Sequence, residues 1–249
     1  MRGLNGKPGV GAGVRRGQLL ASRSVLLQVI RKLFLEVGNV IRADQANAAR
    51  LAADLLFEDE KGIWRVVEPD KDRREEIRLE LRTTAARNVQ SMMTRILETE
   101  RPLSARVYKS EALAKKQVQN AINRNLAIGA SADDLARDVR KLIDPNVPGG
   151  VSYRAKTLAR TEINNAFHAQ SINDMRERPW IEQAQWNLSK SHNEEGCVCE
   201  QYARTRLFPV DRVPKKPHPG CLCSITPYLP DFDTALKNFL SGQYSPWLP

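Results

Sequence analysis

The side chains with the widest chemical repertoire are gathered in one stretch. Between Trp186 and Pro227 the chain reads W-N-L-S-K-S-H-N-E-E-G-C-V-C-E and, further on, K-P-H-P-G-C-L-C-S-I-T-P, holding all four cysteines and two of the three histidines. The cysteines form two C-x-C pairs, Cys197/Cys199 and Cys221/Cys223, with His192 and His218 just upstream. Thiolates and imidazoles at that density are the ligands of a tetrahedral structural zinc, which takes four of them. Positions i and i+2 of an extended strand share a face, so two short strands laid side by side would aim four thiols into one space. The expected metal ligands are Cys197, Cys199, His218, Cys221 and Cys223, with His192 a further candidate. Zinc ribbons favour C-x2-C, so two other readings stay open. One is disulfides, which need an oxidising compartment; the other is reduced thiols buried as small hydrophobes. The signatures of catalytic zinc, H-E-x-x-H and H-x-E with P-C-x-x-C, are absent.

Composition sets the surroundings of this knuckle. Aromatic residues are few and charged residues many, which suits helices better than a sheet sandwich. The net charge is +10, so a polyanion is an expected neighbour. Seven of the cations (Arg2, Lys7, Arg15, Arg16, Arg23, Arg31 and Lys32) precede the first acid, and the rest of the chain is close to balanced. The first eighteen residues are Gly-rich, basic and aperiodic, predicting a flexible arm. They match neither dinucleotide nor nucleotide loop patterns; Arg2, Lys7, Arg15, Arg16 and Arg23 are expected to touch nucleic acid through phosphate charge alone, a plain solvated terminus being the alternative. Leu19 to Ile30 is broken by Arg23 and lacks a cleavage site, so no secretory signal is predicted. No run approaches the ~20 apolar residues of a membrane span. A reducing cytoplasm is the expected setting, which weakens the disulfide reading.

The elements that must position the knuckle are helical. From Leu19 the apolar residues Leu26, Ile30, Leu33, Phe34, Val37 and Ile41 step by three and four, with Gly38-Asn39 a candidate break. Lys61 to Pro69 reads as a short extended piece. Asp70 to Glu100 is the longest helix predicted, with a stripe through Ile77, Leu81, Ala85, Val89, Met92 and Ile96; Arg74, Arg78 and Arg82 line one side, and with Asp70 four before Arg74 and Glu75 three before Arg78 they read as a salt-bridged solvent face. Two helices follow, Glu111 to Ile128 and Ala132 to Ile143, with Gly129 and Ser131 as stop and cap. Asp144 to Gly150, D-P-N-V-P-G-G, is the clearest linker. Ser152 to Arg178 is the last long helix; its Glu162 lies beside the apolar face and needs a partner, with Arg160, Arg154 or an N-terminal arginine the candidates. His168 falls on the polar side and is expected at the surface. Trp180 to Ser189 alternates like a strand, with Trp180 and Trp186 capping a small core, and Phe232 to Leu240 is a short helix. The predicted class is mainly α: long helices, then a small α+β domain with a Cys/His knuckle. The expected division is an arm over 1–18, a helical region over 19–148, the knuckle domain over 149–230, and a helix with tail over 231–249.

Three pieces in this order, A-R-T-E (Ala159 to Glu162), W-N-L-S-K-S-H (Trp186 to His192) and H-P-G-C-L-C (His218 to Cys223), carry a resemblance. The segment from about Tyr153 to Pro227 resembles the Mu F-like phage head morphogenesis family, the minor head proteins of tailed bacteriophages. It differs from many members in having C-x-C at the first cysteine position. The resemblance implies a non-enzymatic protein made in the host cytoplasm and built into the virion near the portal vertex. There such proteins act in head morphogenesis, DNA packaging or genome ejection. It further implies the portal protein, the major capsid or scaffolding protein and packaged double-stranded DNA as partners, with no membrane. Arg160, Thr161, Glu162 and Trp186 would then be structural. A zinc-dependent nuclease or phage-derived toxin is the rival expectation. Its only candidate cluster is His192 with Glu194 and Glu195, and no long segment follows Cys223 to hold a second catalytic domain. A DNA-binding zinc module would want a recognition helix after the knuckle, where Asp231 to Leu240 offers only Lys237 and Asn238.

Overall fold

The structure, a computed structural model, describes residues 10–96, 103–128, 130, 132–144, 146–191 and 196–244. It is mainly helical, as the periodicity predicts. The helices are α1 (Val10–Asp59), α2 (Lys61–Val67), α3 (Lys71–Ile96), α4 (Leu103–Ala127), α5 (Ala132–Ile143), α6 (Val151–Arg176), α7 (Val198–Thr205) and α8 (Phe232–Leu240). Three short strands, β1 (Gln183–Asn187), β2 (Leu207–Pro209) and β3 (Ser224–Tyr228), form an antiparallel sheet in the order β2-β1-β3. Among the described residues no helix is long and apolar enough to cross a membrane.

The chain divides into two compact units, Met1–Val40 with Leu103–Ala159, and Ile41–Pro102 with Arg160–Pro249. In the first, Ile30 and Phe34 of α1, Val107, Val118 and Ile122 of α4, and Leu135 and Val139 of α5 are buried. Ile30 and Phe34 belong to the stripe read from the sequence. The candidate break at Gly38-Asn39 does not occur. A β-carbon at Gly38 would lie 3.6 Å from Val107, so the glycine admits α4 closely, and one glycine costs a helix only about 1 kcal/mol. The same tolerance explains a second difference: residues 10–18, expected to be flexible, are the first turns of α1. The first nine residues, with Arg2 and Lys7, lie outside the described residues. α4 begins at Leu103 rather than Glu111 because Leu103 and Val107 extend the buried stripe by two turns. After α5 the predicted linker turns sharply: Gly149 has φ +78°, and a β-carbon on Gly150 would sit 2.7 Å from the Leu142 carbonyl. Gly129 and Ser131 lie outside the described residues.

The second unit holds the knuckle. Lys61 to Val67, expected to be extended, is the helix α2, because Ile63 and Trp64 face the core together and tertiary packing overrides the local β-preference of I-W-R-V-V. At the corner between α1 and α2, Glu60 is fully buried. One of its carboxylate oxygens accepts from Trp64 Nε1 at 3.0 Å and from Arg178 Nε at 3.2 Å, and the other from Trp180 Nε1 at 2.8 Å. Arg178 is equally buried and lies over the Trp64 ring, 5.5 Å from its centroid. Burial pushes the Glu60 carboxyl up, against the pull of Arg178 and the two indoles. The arginine face of α3 is ion-paired, but mainly to α1 rather than along its own helix: Arg78 reaches Asp54 at 3.0 Å and Glu58 at 3.3 Å on α1 and the expected Glu75 at 3.8 Å, and Arg82 reaches Asp54 at 3.2 Å. Arg74 instead donates to the Glu68 and Pro69 carbonyls, while Asp70 accepts from the Arg73 amide as a helix cap.

The sheet is small and its middle strand decides it. β1 pairs with β2 from Gln183↔Pro209 to Gln185↔Leu207 and with β3 from Gln183↔Tyr228 to Asn187↔Ser224. Ala184 and Trp186 point inward on alternate positions, joining Trp64, Trp180, Ile172, Met175 and Ile225 in one core. Asp231 accepts from the Thr234 amide and starts α8. Replacing Glu60 by leucine should strand the Arg178 guanidinium in that core and cost about 3–5 kcal/mol in urea unfolding, whereas Glu60→Leu combined with Arg178→Met should recover most of it. A loss below about 1 kcal/mol in the single variant would mean the corner does not depend on the pair.

Candidate metal centre

The knuckle is built from a helix and a turn rather than from two strands. Cys197 is the N-cap of α7 and Cys199 lies in its first turn, while Cys221 and Cys223 occupy the irregular segment that leads into β3. The expectation of paired C-x-C strands is thus corrected. Glu200 favours the helix start: its carboxylate lies in the first turn and accepts from the Gly196 amide. α7 ends at Arg206, whose φ of 67° turns the chain back and whose carbonyl accepts from Trp186 N at 2.8 Å, tying the helix to β1.

The turn carrying His218 and Cys221 is fixed from α6. Gly220 has φ +71°, a conformation that favours glycine, and its amide donates to Thr161 Oγ1 at 2.8 Å. Asn164 Nδ2 donates to the Cys221 carbonyl at 3.2 Å. From the other side the Lys216 ammonium donates to the carbonyls of Cys221 and Cys223 at 3.3 and 2.8 Å.

Cys199, Cys221 and Cys223 are buried and Cys197 is half-buried; all four are free thiols. Two donor groups, Cys197/Cys199/His218 and Cys199/Cys221/Cys223, each bring their ligand atoms within 4.8 Å of one another and share Cys199. Cys199 Sγ lies 3.5 Å from His218 Nε2 and 3.6 Å from Cys221 Sγ. Bonds of about 2.3 Å in a tetrahedron separate two sulfurs by about 3.8 Å, so these spacings suit a common metal ion. The histidine is in the right tautomer. A carbonyl can only accept, so His218 Nδ1 donates its proton to the Pro219 carbonyl at 3.1 Å and leaves Nε2 with its lone pair toward Cys199. Burial pushes the Cys199 and Cys221 thiols up, so loading a metal must displace protons. The half-buried Lys216 cation faces these sulfurs and opposes the negative charge they carry once deprotonated.

The other expected site residues divide. Trp186 is buried, edge-on to Tyr202 at 5.0 Å and to His168 at 5.9 Å between ring centroids. Glu162 is buried and accepts from the amide of Gln45 at 3.4 Å, a neutral partner the sequence did not single out. Arg160 is exposed beside Gly220. Arg23 is exposed on α1; the side chains of Arg15 and Arg16, and His192, Glu194 and Glu195, lie outside the described residues. His168, expected at the surface, is buried instead. Its Nε2–H donates to the Pro214 carbonyl at 2.9 Å, anchoring the segment that leads to Lys216 and His218. In the sequence a polar residue at this position of α6 reads as solvent-facing, because the segment that covers it is distant along the chain. Lys216 and Asn164 carry no sequence signal for the same reason.

No family model matches the chain, and no curated protein or solved structure matches it either. Two outcomes follow from the geometry. Elemental analysis of the chain purified without chelator should find about one zinc per molecule, falling below about a tenth in Cys199→Ser; equal retention would remove Cys199 from the ligand set. Burial, with Lys216 adding to it, lowers the His168 pKa from 6.5 to about 3. The unfolded chain therefore takes up the proton first, so stability should be fully present above pH 6.5 and decline as pH falls toward 3. His168→Gln, which keeps a donor for Pro214, should flatten that part of the urea-midpoint curve, and an unchanged slope would sink the assignment.

Proposed function

We propose that this chain is a non-enzymatic minor head protein of a tailed bacteriophage, attached near the portal vertex and stapled by a structural zinc. The observation that carries the reading is the meeting of the three resembling pieces. The Gly220 amide bonded to Thr161 joins H-P-G-C to A-R-T-E, and the β1–β3 ladder lays Trp186 against Ile225 next to Cys223. Residues that are dispersed in the sequence thus form one small structure, which supports treating the resemblance as a shared domain rather than a set of chance matches. Zinc would be held by four of Cys197, Cys199, His218, Cys221 and Cys223, and would supply cross-bracing between α7 and the segment before β3. The chain's own contribution is to hold those donors: Thr161 and Asn164 fix the turn, Pro219 fixes the imidazole and Lys216 offsets charge.

In this reading the helices provide the attachment surface for portal, capsid or scaffolding protein, and the basic N-terminal residues meet packaged DNA by phosphate contact. Co-expression with the portal and major capsid proteins of the same genome should recover the chain in purified heads, and heads formed without it would sink the reading. DNA affinity of the isolated chain should fall steeply with salt and show no sequence preference, and removing residues 1–16 should flatten the slope. A flat salt response of the intact chain would remove the DNA contact. Incubation with plasmid and Mg2+ or Zn2+ should leave the DNA intact; cleavage abolished by His192→Ala would favour the nuclease instead.

A further inference from the structure

The helical part of the second unit contains a polar groove that the metal centre does not use. α3 presents Thr84, Asn88, Ser91 and Arg95 at spacings of three and four, all exposed. α6 and the turn after it present Gln170, Asn173, Asp174 and Glu177 at the same spacings. Together with Leu81, Ala85 and Met92 they line a space of about 320 Å³. Apolar packing would be the ordinary content of such a helix pair. Here Gln170 and Asp174 line the groove while remaining 2% and 3% exposed.

The hydrogen bonding of these residues is incomplete in one direction only. Gln170 Nε2 donates to Asp174 Oδ1 at 2.6 Å, yet Gln170 Oε1 and Asp174 Oδ2 are buried without a partner. Asn173 is already occupied at both ends, its Oδ1 accepting from Arg95 at 2.8 Å and its Nδ2 donating to Glu177 at 2.9 Å. With the Asp174 carboxyl ionised, both unmatched atoms are acceptors. A ligand that fits must therefore donate, since an anion or an apolar group would leave two buried oxygens unmet. The charges lining the groove, Asp174 and Glu177 against Arg95, also favour a cation.

We propose that this groove binds a cationic donor group, an alkylammonium or alkylguanidinium, through Asp174 Oδ2 and Gln170 Oε1. Such a head group comes either from a free polyamine or from a lysine or arginine side chain of a protein partner, and the chemistry of recognition is the same. The electrostatics agree. Burial raises the Asp174 carboxyl to about 7; Gln170 and Arg178 pull it down, and Glu177 and Glu60 push it up, with Arg95 on the α3 side of the groove. A cation entering the groove supplies the missing counter-charge, so binding drives off a proton near neutral pH and strengthens as pH rises.

Isothermal titration of the full chain tests this with agmatine and putrescine in one arm and the capped peptide acetyl-Gly-Arg-Gly-amide in the other. Saturable binding is expected in at least one arm, with up to one proton released per ligand in buffers of different ionisation heat, and affinity rising between pH 6 and 8. Tighter binding of the free amines points to a polyamine, and tighter binding of the peptide to a partner's side chain. Asp174→Asn should weaken binding about tenfold or more. It should remain folded, because a raised carboxyl stabilises the chain below its unfolded pKa and costs stability as pH rises through 7. Ser91→Phe, at an exposed groove position, should block binding without changing the unfolding midpoint. Absence of saturable binding at millimolar ligand, or equal affinity in Asp174→Asn, would overturn the proposal.

Discussion

Burying a carboxylate and a guanidinium together is expensive unless every polar atom finds a partner, and the second unit is arranged around one such pair. Glu60 sits where α1 gives way to α2, and Arg178 sits just past the end of α6. Two indole N–H groups, from Trp64 and Trp180, complete the carboxylate's shell. Because Trp180 lies three residues before β1, the same shell that satisfies the charge also fixes where the sheet begins. β1 is the central strand, so its placement sets both neighbours, and with β3 the exit of the Cys221–Cys223 segment. The buried pair is therefore a specifying device more than a source of net stability. An apolar replacement of both members would keep the energy but would no longer fix where the α1–α2 corner and β1 meet.

The cysteines take part in the same core. Cys199, Cys221 and Cys223 pack with Trp180, Trp186, Ile225 and Val210, so the metal reading and the reading of thiols as small hydrophobes describe the same atoms under two conditions. A three-stranded sheet with strands of three to five residues has little apolar area of its own and depends on what crosses it. The described structure supplies such a crossing through the Arg206–Trp186 backbone bond and the α6 contacts to the turn at Gly220. A zinc ion would add a further tie between the same two segments. The donor spacings suit it because the backbone around them is already held.

The sequence was informative wherever a local rule decides the structure. Periodic stripes located the long helices, P-G-G marked a turn that glycine alone accommodates, and Glu75 at helical spacing from Arg78 signalled one pair of a face otherwise paired to α1. It was uninformative where partners come from far along the chain. His168 looks solvent-facing until Pro214 covers it; Glu162 accepts from Gln45, a residue far along the chain; the V-C-E-Q-Y run after Cys197 gives no strand because Tyr202 and Cys199 must share a helical face toward the core. The cysteines and His218 were legible as a group by residue type, but their helix-and-turn geometry was not, since C-x-C spacing fits either a strand or a helix cap. Lys216 had no signal at all, because a lysine in a Lys-Lys-Pro run reads as solvated.

The pairing of α3 with α1 also bears on where the proposed polyanion contact would reside. Asp54 and Glu58 occupy Arg78 and Arg82, and Arg124 is paired with Asp138 on α5, so arginines of the helical body are drawn into internal pairs. Seven cations and no acid lie in the stretch before Glu36. A phosphate backbone rewards cations whose counterions it can release, and cations already neutralised by a neighbouring carboxylate release few. The charge is thus uneven along the chain: arginines of the body serve folding through these pairs, and the acid-free N-terminal stretch is where the proposed phosphate contact would fall.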